Sequence, residues 1–331
     1  MRILITGGAG YIGSHTFAWL VRQGHEVWAL DNLSLGHRGA VPRDRLVIAD
    51  LLDTPRLVHC LRELRIEAVV NFAALSLVGE SVERPLAYYR NNVGGVVSLL
   101  DAMVQAGVRR LVQSSTTAVF GSPVVDRIGE QLPKAPINPY GHSKAMGERV
   151  LEDAAAAHGL AVIALRYFNA AGACPSGERG EDHRPETHLI PLALEVAMGK
   201  RALLKVFGGD YPTADGSCVR DYVHVDDLAA AHALAIDKTA ASIATGRFDA
   251  FNLGSGHGSS NLEVIESCRR VTGMAIPIRM VERRLGDPPR LVADSERARR
   301  ELGWTPRYAD LDSIIGTAWN WHRSRPNGFA D

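Results

Sequence analysis

The first half of the chain alternates short apolar runs with longer stretches in which apolar residues recur at helical spacing. The runs are continuously apolar, which is typical of strands buried on both faces of a sheet. The pattern predicts strands over residues 2–6, 26–31, 45–49, 68–72, 109–113 and 161–166. It predicts helices over residues 12–23, 55–64, 85–106 and 140–158. This alternation indicates an α/β fold, a Rossmann-type doubly wound parallel sheet with helices on both faces.

The pattern changes after Asn169. Residues 171–186 and 208–217 are rich in glycine, proline and charge, so both are predicted loops. The rest predicts a strand over residues 248–253 and helices over residues 225–236, 261–271, 295–302 and 311–323, with residues 254–258 forming a turn that caps the helix from 261. We therefore expect a Rossmann domain of residues 1–170, with a returning segment of about 220–252. Residues 171–219 and 253–331 would form a smaller C-terminal α/β lobe.

Composition and charge narrow the class of protein. The 331 residues carry 37 lysines and arginines against 37 aspartates and glutamates, and this balance disfavours nucleic-acid binders and proteins of anionic membranes. No apolar run approaches the ~18 residues that span a bilayer, and the first residues lack a signal-peptide pattern. The four cysteines form no C-x-x-C pair, and the twelve histidines show no metal-binding spacing. We expect a cytoplasmic protein without a metal site or a disulfide framework.

A glycine-rich turn joins the first predicted strand to the first predicted helix. It reads TGGAGYIG over residues 6–13 and fits both G-x-G-x-x-G and G-x-x-G-x-x-G. Glycines allow a tight turn and a close approach to a pyrophosphate, while the helix N-terminus offers free N–H groups and a positive dipole end. A lone glycine motif is a weak signal, but this one has the required strand before it and helix after it. It predicts a dinucleotide site.

Asp31 ends the second predicted strand, 18 residues after Gly13. Its carboxylate can accept hydrogen bonds from ribose hydroxyls and would repel a 2′-phosphate, which favours NAD over NADP. Arg38 and Arg43 follow closely and leave NADP open. The third and fourth strands end at the same crevice, where the candidates to flank the adenine and the second ribose are Asp50, Leu51, Phe72, Ala73 and Ala74.

Tyr140 and Lys144 lie four residues apart at the start of a predicted helix, so their side chains share one face. A free tyrosine has a pKa of ~10, too high for a base at neutral pH, but a nearby ammonium and a nicotinamide ring would both favour the phenolate. The pair alone is equally consistent with two surface side chains. Ser114–Thr117, at the end of the fifth strand, fits either a capped turn or hydroxyls that bridge a substrate to Tyr140.

Together these features resemble the extended short-chain dehydrogenase/reductase family, and within it the UDP-glucose 4-epimerases (UDP-galactose 4-epimerases). Longer strings carry the narrower resemblance and extend almost from end to end. They are TGGAGYIGSHT (Thr6–Thr16), DNLS (Asp31–Ser34), VGESV (Val78–Val82), NNVGG (Asn91–Gly95), NPYGHSK (Asn138–Lys144), RYFNAAGA (Arg166–Ala173), FGGDYPTADGSCVRDYVHVDDLA (Phe207–Ala229) and LGW (Leu302–Trp304).

The resemblance implies an isomerase that interconverts UDP-glucose and UDP-galactose. In this family NAD⁺ stays bound and takes a hydride from C4 of the sugar, and the 4-keto sugar rotates and receives the hydride on its other face. By the resemblance, Tyr140 takes the proton of the 4-hydroxyl, Lys144 binds the nicotinamide ribose and tunes Tyr140, and Thr116 stands at the catalytic Ser or Thr position. It also implies a homodimer in which the helices 85–106 and 140–158 pair across a two-fold axis.

The resemblance assigns NAD to the Rossmann domain and a UDP-sugar to the lobe. The cofactor-binding residues that the glycine motif, Asp31, the strand ends and the resemblance give together are Gly7, Gly10, Tyr11, Ile12, Gly13, Asp31, Asn32, Asp50, Leu51, Phe72, Ala73, Ala74, Asn91, Ser114, Tyr140, Lys144 and Tyr167. The substrate-binding residues that it implies are Thr116, Asn169, His188, Leu189, Phe207, Arg220, Arg284 and Asp287.

Within the substrate set, Arg220 and Arg284 match the arginines of the family that bind the diphosphate, a role that suits the bidentate guanidinium. Arg284 alone is also consistent with a solvated charge in a basic pair. Asn169 matches a diphosphate contact. By the same resemblance His188, Leu189 and Phe207 form the uridine pocket, and Asp287 holds the uridine ribose.

Three positions depart from the family pattern. Phe120 replaces a tyrosine, which removes a hydroxyl near the pocket, and Ser76 replaces a lysine that some members place near the nicotinamide ribose. Leu291 stands where some members have a large aromatic residue that restricts the sugar pocket, and it would leave room for an N-acetyl group.

Several alternatives stay open or are disfavoured. Sugar-nucleotide 4,6-dehydratases carry an Asp-Glu pair after the catalytic threonine, and decarboxylases usually keep the glutamate, whereas this chain has Thr117 and Ala118. A 4-epimerase of UDP-GlcNAc, a UDP-pentose or a UDP-uronate remains an alternative. So does a non-catalytic NAD-binding regulator, although such proteins often lose the tyrosine or the lysine and this chain keeps both.

Overall fold

The computed structural model describes residues 1–242, 246–284 and 287–330. The strands are β1 (Arg2–Thr6), β2 (Glu26–Asp31), β3 (Leu46–Ile48), β4 (Ala68–Asn71), β5 (Arg110–Thr116), β6 (Ala161–Tyr167), β7 (Asn169–Ala171), β8 (Leu204–Phe207), β9 (Val219–His224), β10 (Phe248–Leu253), β11 (Gly258–Ser260), β12 (Ile278–Val281) and β13 (Arg290–Leu291).

The helices begin with α1 (Tyr11–Arg22), α2 (Thr54–Glu63), α3 (Val78–Glu83), α4 (Pro85–Tyr88), α5 (Gly95–Ala106) and α6 (Pro139–His158). They continue with α7 (Leu189–Ala197), α8 (Val225–Ser242), α9 (Asn261–Thr272), α10 (Glu296–Leu302) and α11 (Leu311–Ser324). In the described residues no helix combines the length and the apolar character needed to cross a membrane.

The main sheet has seven parallel strands in the order β10-β6-β5-β4-β1-β2-β3. Alternate residues of β1 face opposite sides: Ile3 and Ile5 pack in a core with α1 and α8, and Leu4 packs in another with α2, α5 and α6. Both faces are therefore apolar, which explains the continuous apolar runs and confirms the Rossmann-type α/β fold.

The lobe is built on short strands and three helices. β9 pairs with β7, β11 and β13, and β8 pairs with β12. The helices α7, α9 and α11 pack around these strands in a separate apolar core. Residues 220–224, which we expected in the returning segment, belong to β9 of this smaller sheet. The chain rejoins the main sheet only with α8 and β10, because β9 is bonded to lobe strands on its edges.

Two predicted elements differ in detail. The helix expected over residues 85–106 consists of α4, a π-helical segment Tyr89–Gly94 and α5. The turn expected to cap α9 does not cap it, because Ser260 caps α9 through a capping box with Glu263. Ser255 and Gly256 instead donate backbone N–H groups to the buried carboxylate of Asp221.

Candidate active site

Buried polar side chains link neighbouring strands near the carboxyl edge of the main sheet. The Thr6 hydroxyl of β1 donates to Asn71 Oδ1 of β4 at 2.6 Å. The Asn71 amide donates to Gln113 Oε1 of β5 at 2.8 Å. Because parallel strands end at one edge, the loops that follow β1, β2, β4, β5 and β6 surround a shared crevice.

The glycine loop packs directly against the end of β4. A Cβ atom on Gly7 would lie 2.6 Å from the Ala73 nitrogen, and one on Gly13 would lie 2.2 Å from the Gly7 carbonyl oxygen. Gly7 also has a φ of 68°, a region that favours glycine. The helix α1 begins at Tyr11 with Gly10 as its N-cap, so the amides of its first turn lack intrahelical acceptors. This geometry suits a phosphate group.

Asp31 is buried at the end of β2, beside the glycine loop. Its Oδ2 accepts the Ala9 amide at 3.0 Å, and its Oδ1 accepts the Leu33 amide at 2.8 Å. Burial raises the pKa of Asp31, and these amides together with His37 oppose the rise. The two amides fix the carboxylate in place, and each oxygen has a further lone pair that can accept a ribose hydroxyl.

Other members of the predicted cofactor set lie along the same edge. Asn32 donates to Asp50 Oδ2 at 2.8 Å, which joins the loops after β2 and β3. The Tyr11 hydroxyl donates to the Gly172 carbonyl at 2.6 Å, which ties α1 to the loop after β7. Leu51 is buried, whereas the residues that are partly buried are Ile12, Phe72, Ala73, Ala74 and Asn91.

Tyr140 and Lys144 lie in the first turns of α6, beside the end of β5. Lys144 is buried, and its Nζ donates to the Ser114 carbonyl at 3.1 Å. Burial lowers the pKa of Lys144 to about 8, against the opposing charge of Glu148. Burial raises the pKa of Tyr140, and the Thr116 hydroxyl acts in the opposite direction. The protein alone therefore favours the phenol of Tyr140, whereas we expected the Lys144 ammonium to favour the phenolate.

The hydroxyl cluster at the end of β5, Ser114–Thr117, both caps a turn and interacts with Tyr140. Thr116 accepts the Ala118 amide at 3.2 Å and caps the 3₁₀ turn Thr117–Phe120. Its hydroxyl is also close enough to Tyr140 to influence the pKa of that phenol. Ser114 Oγ lies 2.5 Å from the Tyr167 hydroxyl, which joins the ends of β5 and β6.

A buried carboxylate that the sequence analysis missed lies one turn beyond Lys144. Glu148 accepts Nε and Nη2 of Arg166 at 2.8 and 2.7 Å and the Ser115 hydroxyl at 2.6 Å, and Lys134 Nζ lies 2.6 Å from its Oε2. Burial raises the pKa of Glu148, but Arg166 and Lys134 outweigh burial and hold it below its usual value. The i, i+4 spacing from Lys144 was the available signal, since it puts both on one face of α6.

The π-helical segment Tyr89–Gly94 carries a second residue that we missed. Asn92 is buried, donates to the Leu75 carbonyl at 3.0 Å and to Ser143 Oγ at 2.9 Å, and accepts the Leu75 amide at 2.9 Å. It therefore fixes the loop after β4 to α6. Asn92, Ser143 and Lys144 line one small cavity, and π-helical segments are frequent at functional sites.

The lobe brings several predicted substrate residues together in pairs. Arg220, on β9, forms an ion pair with Asp287 and donates to the Val219 carbonyl at 2.8 Å. The Arg284 guanidinium lies over the Phe207 ring at 4.0 Å, in cation–π geometry. Asp287, which we expected to hold a ribose, is thus also the counter-charge of Arg220. One face of Phe207 is covered by Arg284.

Asn169 and the departures from the family pattern are placed as follows. Asn169 begins β7, which pairs with β9 opposite Tyr222. Phe120 is buried in an apolar cluster that includes the partly buried Leu291, and the guanidinium of Arg166 lies over its ring. Leu291 pairs in register with Arg220, and Ser76 is exposed.

A cluster that the sequence analysis did not foresee lies just before α7 and includes His188. Leu189 is the first residue of α7. His183 and His188 lie against Glu181 and Glu186 in the loop after β7. Burial opposes protonation of both imidazoles, but the carboxylates outweigh it and raise the pKa of His188 to about 10 and that of His183 above its usual value. The histidines are therefore not all scattered, as we had expected.

Comparisons with known proteins identify similar sequences and similar folds. The model of the NAD dependent epimerase/dehydratase family matches residues 3–254. The chain is 51% identical to a UDP-glucose 4-epimerase of Lacticaseibacillus casei over 332 residues, 100% of this chain and 99% of that protein. A crystal structure of UDP-glucose 4-epimerase from Brucella ovis in complex with NAD has a TM-score of 0.92 and 48% identity, covering 97% of this chain and 98% of that chain. One from Bifidobacterium longum in complex with NAD+ and UDP has a TM-score of 0.92 and 36% identity, covering 99% and 100%.

Proposed function

This chain belongs to the NAD-dependent epimerase/dehydratase family, and we propose that it is an isomerase that interconverts UDP-glucose and UDP-galactose by inverting C4. One observation carries the proposal. Tyr140, Thr116 and Lys144 lie together at the sheet edge that also holds the glycine loop and Asp31. A relative that is half identical over its full length bears the name of this activity.

The crevice fits NAD. The glycine loop and the N-terminus of α1 suit the pyrophosphate, and the fixed carboxylate of Asp31 suits the adenosine ribose. Lys144 Nζ makes one hydrogen bond among the described residues and keeps donors for the second ribose. When bound, NAD supplies a hydride acceptor and donor, and its cationic ring favours the Tyr140 phenolate. We assign the remaining contacts to Tyr11, Ile12, Asn32, Asp50, Leu51, Phe72, Ala73, Ala74, Asn91, Ser114 and Tyr167.

Tyr140 is proposed to accept the proton of the sugar 4-hydroxyl and to return it at the end. Thr116 donates or accepts a hydrogen bond at the same oxygen and lowers the pKa of Tyr140. Lys144 carries most of its positive charge at neutral pH, because its pKa is about 8. We propose that this charge, together with the bound cofactor, offsets the burial that raises the pKa of Tyr140. Tyr140 would hold the proton while the sugar is a 4-ketone and would return it once the hydride has been added back to the opposite face of C4. The reaction therefore inverts C4 without net oxidation.

The lobe is proposed to hold the nucleotide. Arg220 and Arg284 bind the diphosphate, Phe207 contacts the uracil, and Asp287 both orients Arg220 and accepts the uridine ribose. Asn169, His188 and Leu189 complete this set. Firm binding at UDP leaves the hexose free to rotate, which inversion at C4 requires. In this proposal NAD contacts the Rossmann domain of residues 1–170. The UDP-sugar contacts the lobe, including Arg220 of β9, together with Thr116 and Asn169 at the edge of that domain.

The side chain at position 291 bears on which sugar the pocket accepts. Leu291 lies in register beside Arg220 and packs with Phe120. We propose that it lines the sugar pocket, where an aliphatic side chain leaves more room than a large aromatic one would. We therefore include UDP-GlcNAc as a second substrate. Thr117 and Ala118 offer no carboxylate for the elimination of water, which disfavours a dehydratase.

A panel of UDP-sugars tests this function. The purified protein is incubated without added NAD with UDP-galactose, UDP-GlcNAc, a UDP-pentose and a UDP-uronate, and the products are separated by chromatography. We expect UDP-galactose to give UDP-glucose. Protein that carries NAD but turns over no member of the panel would support a regulator instead, and turnover of UDP-GlcNAc alone would reassign the sugar.

We also propose that the protein is a cytoplasmic homodimer. Its four cysteines are free and buried, and all lie in the described part of the chain, which suits a reducing compartment. The helices α3 to α6 expose apolar side chains, among them Val82 (64% exposed), Leu86 (73%) and Met146 (49%). Such a patch on neighbouring helices is typical of a surface that a second copy covers.

A further inference from the structure

The loop between β7 and α7 gathers two imidazoles and two carboxylates at one point. The Nδ1 atom of His188 lies 2.7 Å from Glu181 Oε1 and 3.1 Å from Glu186 Oε1. The Nδ1 atom of His183 lies 3.1 Å from Glu181 Oε1 and 3.8 Å from Glu186 Oε2. The potential ligand atoms of the four side chains all lie within 4.8 Å of one another. These four residues are called the loop cluster below.

The four nitrogen–oxygen distances are compatible with a tetrahedral coordination shell. Four nitrogen and oxygen ligands at ~2.0–2.1 Å from a zinc ion are separated from one another by about 3.3 Å. The four measured nitrogen–oxygen distances, 2.7 to 3.8 Å, bracket that value. A His₂Glu₂ set also has the donor types that borderline divalent metals prefer.

The ligating groups are held in place by backbone amides and by residues of α1 and α11. Glu186 Oε1 accepts the amides of Thr187 and His188 at 2.7 and 2.8 Å. The indole nitrogen of Trp321 on α11 donates to the Glu181 carbonyl at 3.2 Å. The Tyr11 ring meets the His183 ring edge to face, with centroids 6.2 Å apart. Ligands that are oriented before the ion arrives lose little conformational freedom on binding it.

One ligand atom has no hydrogen bond to occupy it. His183 Nδ1 is shielded from solvent and, although it lies near Glu181, forms no hydrogen bond with acceptable geometry among the described residues. A buried imidazole nitrogen that meets a carboxylate without a well-aligned hydrogen bond is poorly satisfied, which makes this nitrogen informative in a cluster of ligands.

We propose that the loop cluster binds one Zn²⁺ ion per chain through His183, His188, Glu181 and Glu186. The ion would fix the loop after β7, which receives the Tyr11 hydroxyl at Gly172 and leads into α7. It would thus join the first helix to the start of the lobe. The site is separate from the reacting atoms, and the proposal does not depend on which sugar is the substrate.

The competing account is that protons alone hold the loop cluster together. The carboxylates raise the pKa of both imidazoles, so two imidazolium–glutamate pairs would satisfy the same distances. The charges of Glu181 and Glu186 also act to raise the pKa of Tyr11 on α1 and of His322 on α11. The two accounts differ in one measurable respect, since only the first gives stoichiometric metal binding.

Tag-free, chelator-treated full-length protein is titrated with Zn²⁺ by calorimetry, and with Co²⁺ while visible absorption is recorded. We expect one ion per chain, a rise in thermal stability with Zn²⁺, and the intense visible bands of tetrahedral Co²⁺. His183→Gln should weaken Zn²⁺ binding at least tenfold. The matched control is His59→Gln, which removes an exposed histidine that also pairs with a glutamate, Glu63 on α2. It should bind Zn²⁺ as the unmodified protein does.

The proposal is overturned if the unmodified protein binds less than one ion per chain, if its Co²⁺ spectrum is that of an octahedral aqua-type ion, or if His183→Gln binds as tightly as the control. Glu186→Gln provides a second variant should His183→Gln fail to fold, and it is expected to lose the ion in the same way. The spectrum of the unmodified protein decides the question even if neither variant folds.

Discussion

Two buried ionisable side chains on one face of α6 set the chemistry at the scale of single residues. Lys144 and Glu148 lie one turn apart, and both are almost fully buried. Glu148 raises the pKa of Lys144 against the effect of burial, and Arg166 and Lys134 in turn stabilise the charge of Glu148. This chain of charges helps Lys144 to stay protonated at neutral pH, one turn of α6 from Tyr140, more than a buried lysine without a counter-charge would.

The first prediction concerns the proposed base. Tyr140→Phe removes the hydroxyl that receives the proton, and we expect kcat to fall by ~10²–10⁴-fold. The amount of NAD that copurifies should stay the same, because Lys144 and the glycine loop are unchanged. Tyr308→Phe serves as the control, since Tyr308 stacks on His224 in the lobe at 3.7 Å and is expected to leave the rate unchanged. A rate for Tyr140→Phe within threefold of the unmodified protein would remove Tyr140 from this role.

The second prediction concerns the buried carboxylate. Glu148→Gln leaves the guanidinium of Arg166 without its counter-charge, and we expect a loss of about 3 kcal/mol in the free energy of unfolding. Urea denaturation measures this loss. Glu152→Gln, on the same helix, removes an exposed carboxylate paired with Arg149 and should change stability by less than ~0.5 kcal/mol. If Glu148→Gln lowers the free energy of unfolding no more than Glu152→Gln does, the buried network is not stabilising.

At the scale of elements, the start of α1 connects the main sheet to the proposed cofactor crevice. Gly13 lies in the first turn of α1 and faces the Gly7 carbonyl so closely that no side chain fits between them. The close contact sets the position of the helix N-terminus relative to β1. The amides that are proposed to bind the pyrophosphate therefore depend on a residue without a Cβ.

The third prediction tests this contact. Gly13→Ala would place a Cβ 2.2 Å from the Gly7 oxygen, so the loop must shift, and we expect the protein to lose most of its copurifying NAD and to melt at a lower temperature. The absorbance and fluorescence of extracted cofactor measure the content of NAD. Gly316→Ala in α11 is the matched control, because the added Cβ meets open space. It should retain NAD and gain up to ~1 kcal/mol from helix propensity.

The elements of the main sheet could be predicted because their physical signal is local. A strand buried on both faces contains an unbroken apolar run, and β1, β4 and β6 each have one of at least three residues. The strands of the lobe lack it, since β9 contains Arg220 and Asp221, whose charges are compensated by residues distant in sequence. Tertiary contacts of this kind have no local signature, and for that reason β7, β8, β9, β11, β12 and β13 were not predicted.

The residues of the candidate site also divide into those with a local signal in the sequence and those without one. The glycine loop, Asp31 and the Tyr140–Lys144 pair follow a spacing that a sequence displays. Glu148 and Asn92 were missed because a glutamate or an asparagine in a helix is ordinarily solvated. Only the fold reveals that Glu148 meets Arg166 of β6 and that the π-helical segment turns Asn92 towards Ser143.

At the scale of the whole molecule, the exposed apolar residues of α3 to α6 form the surface that a second copy is proposed to cover. Val78 and Val82 follow one another at i, i+4 on α3, and Val97 and Val104 at i, i+7 on α5. These spacings put each pair on one side of its helix. A monomer seldom exposes so many apolar side chains on adjacent helices.

The fourth prediction is that the double variant Val82→Glu/Leu86→Glu is monomeric, because two charges would have to be buried in the interface. Size-exclusion chromatography with light scattering measures the mass against the 35.8 kDa of one chain. Val124→Glu changes a fully exposed valine in the loop after β5 and should leave the dimer intact. If the unmodified protein is itself a monomer at micromolar concentration, the proposed dimer is wrong.

The central claim is that C4 of a UDP-hexose is oxidised and reduced again within one bound complex. The most direct measurement uses UDP-galactose carrying deuterium at C4, incubated in ordinary water with protein that receives no added NAD. We predict UDP-glucose that retains the deuterium at C4, as read by NMR and mass spectrometry. UDP-glucose with hydrogen from water at C4, or no UDP-glucose from protein that carries NAD, would contradict the account.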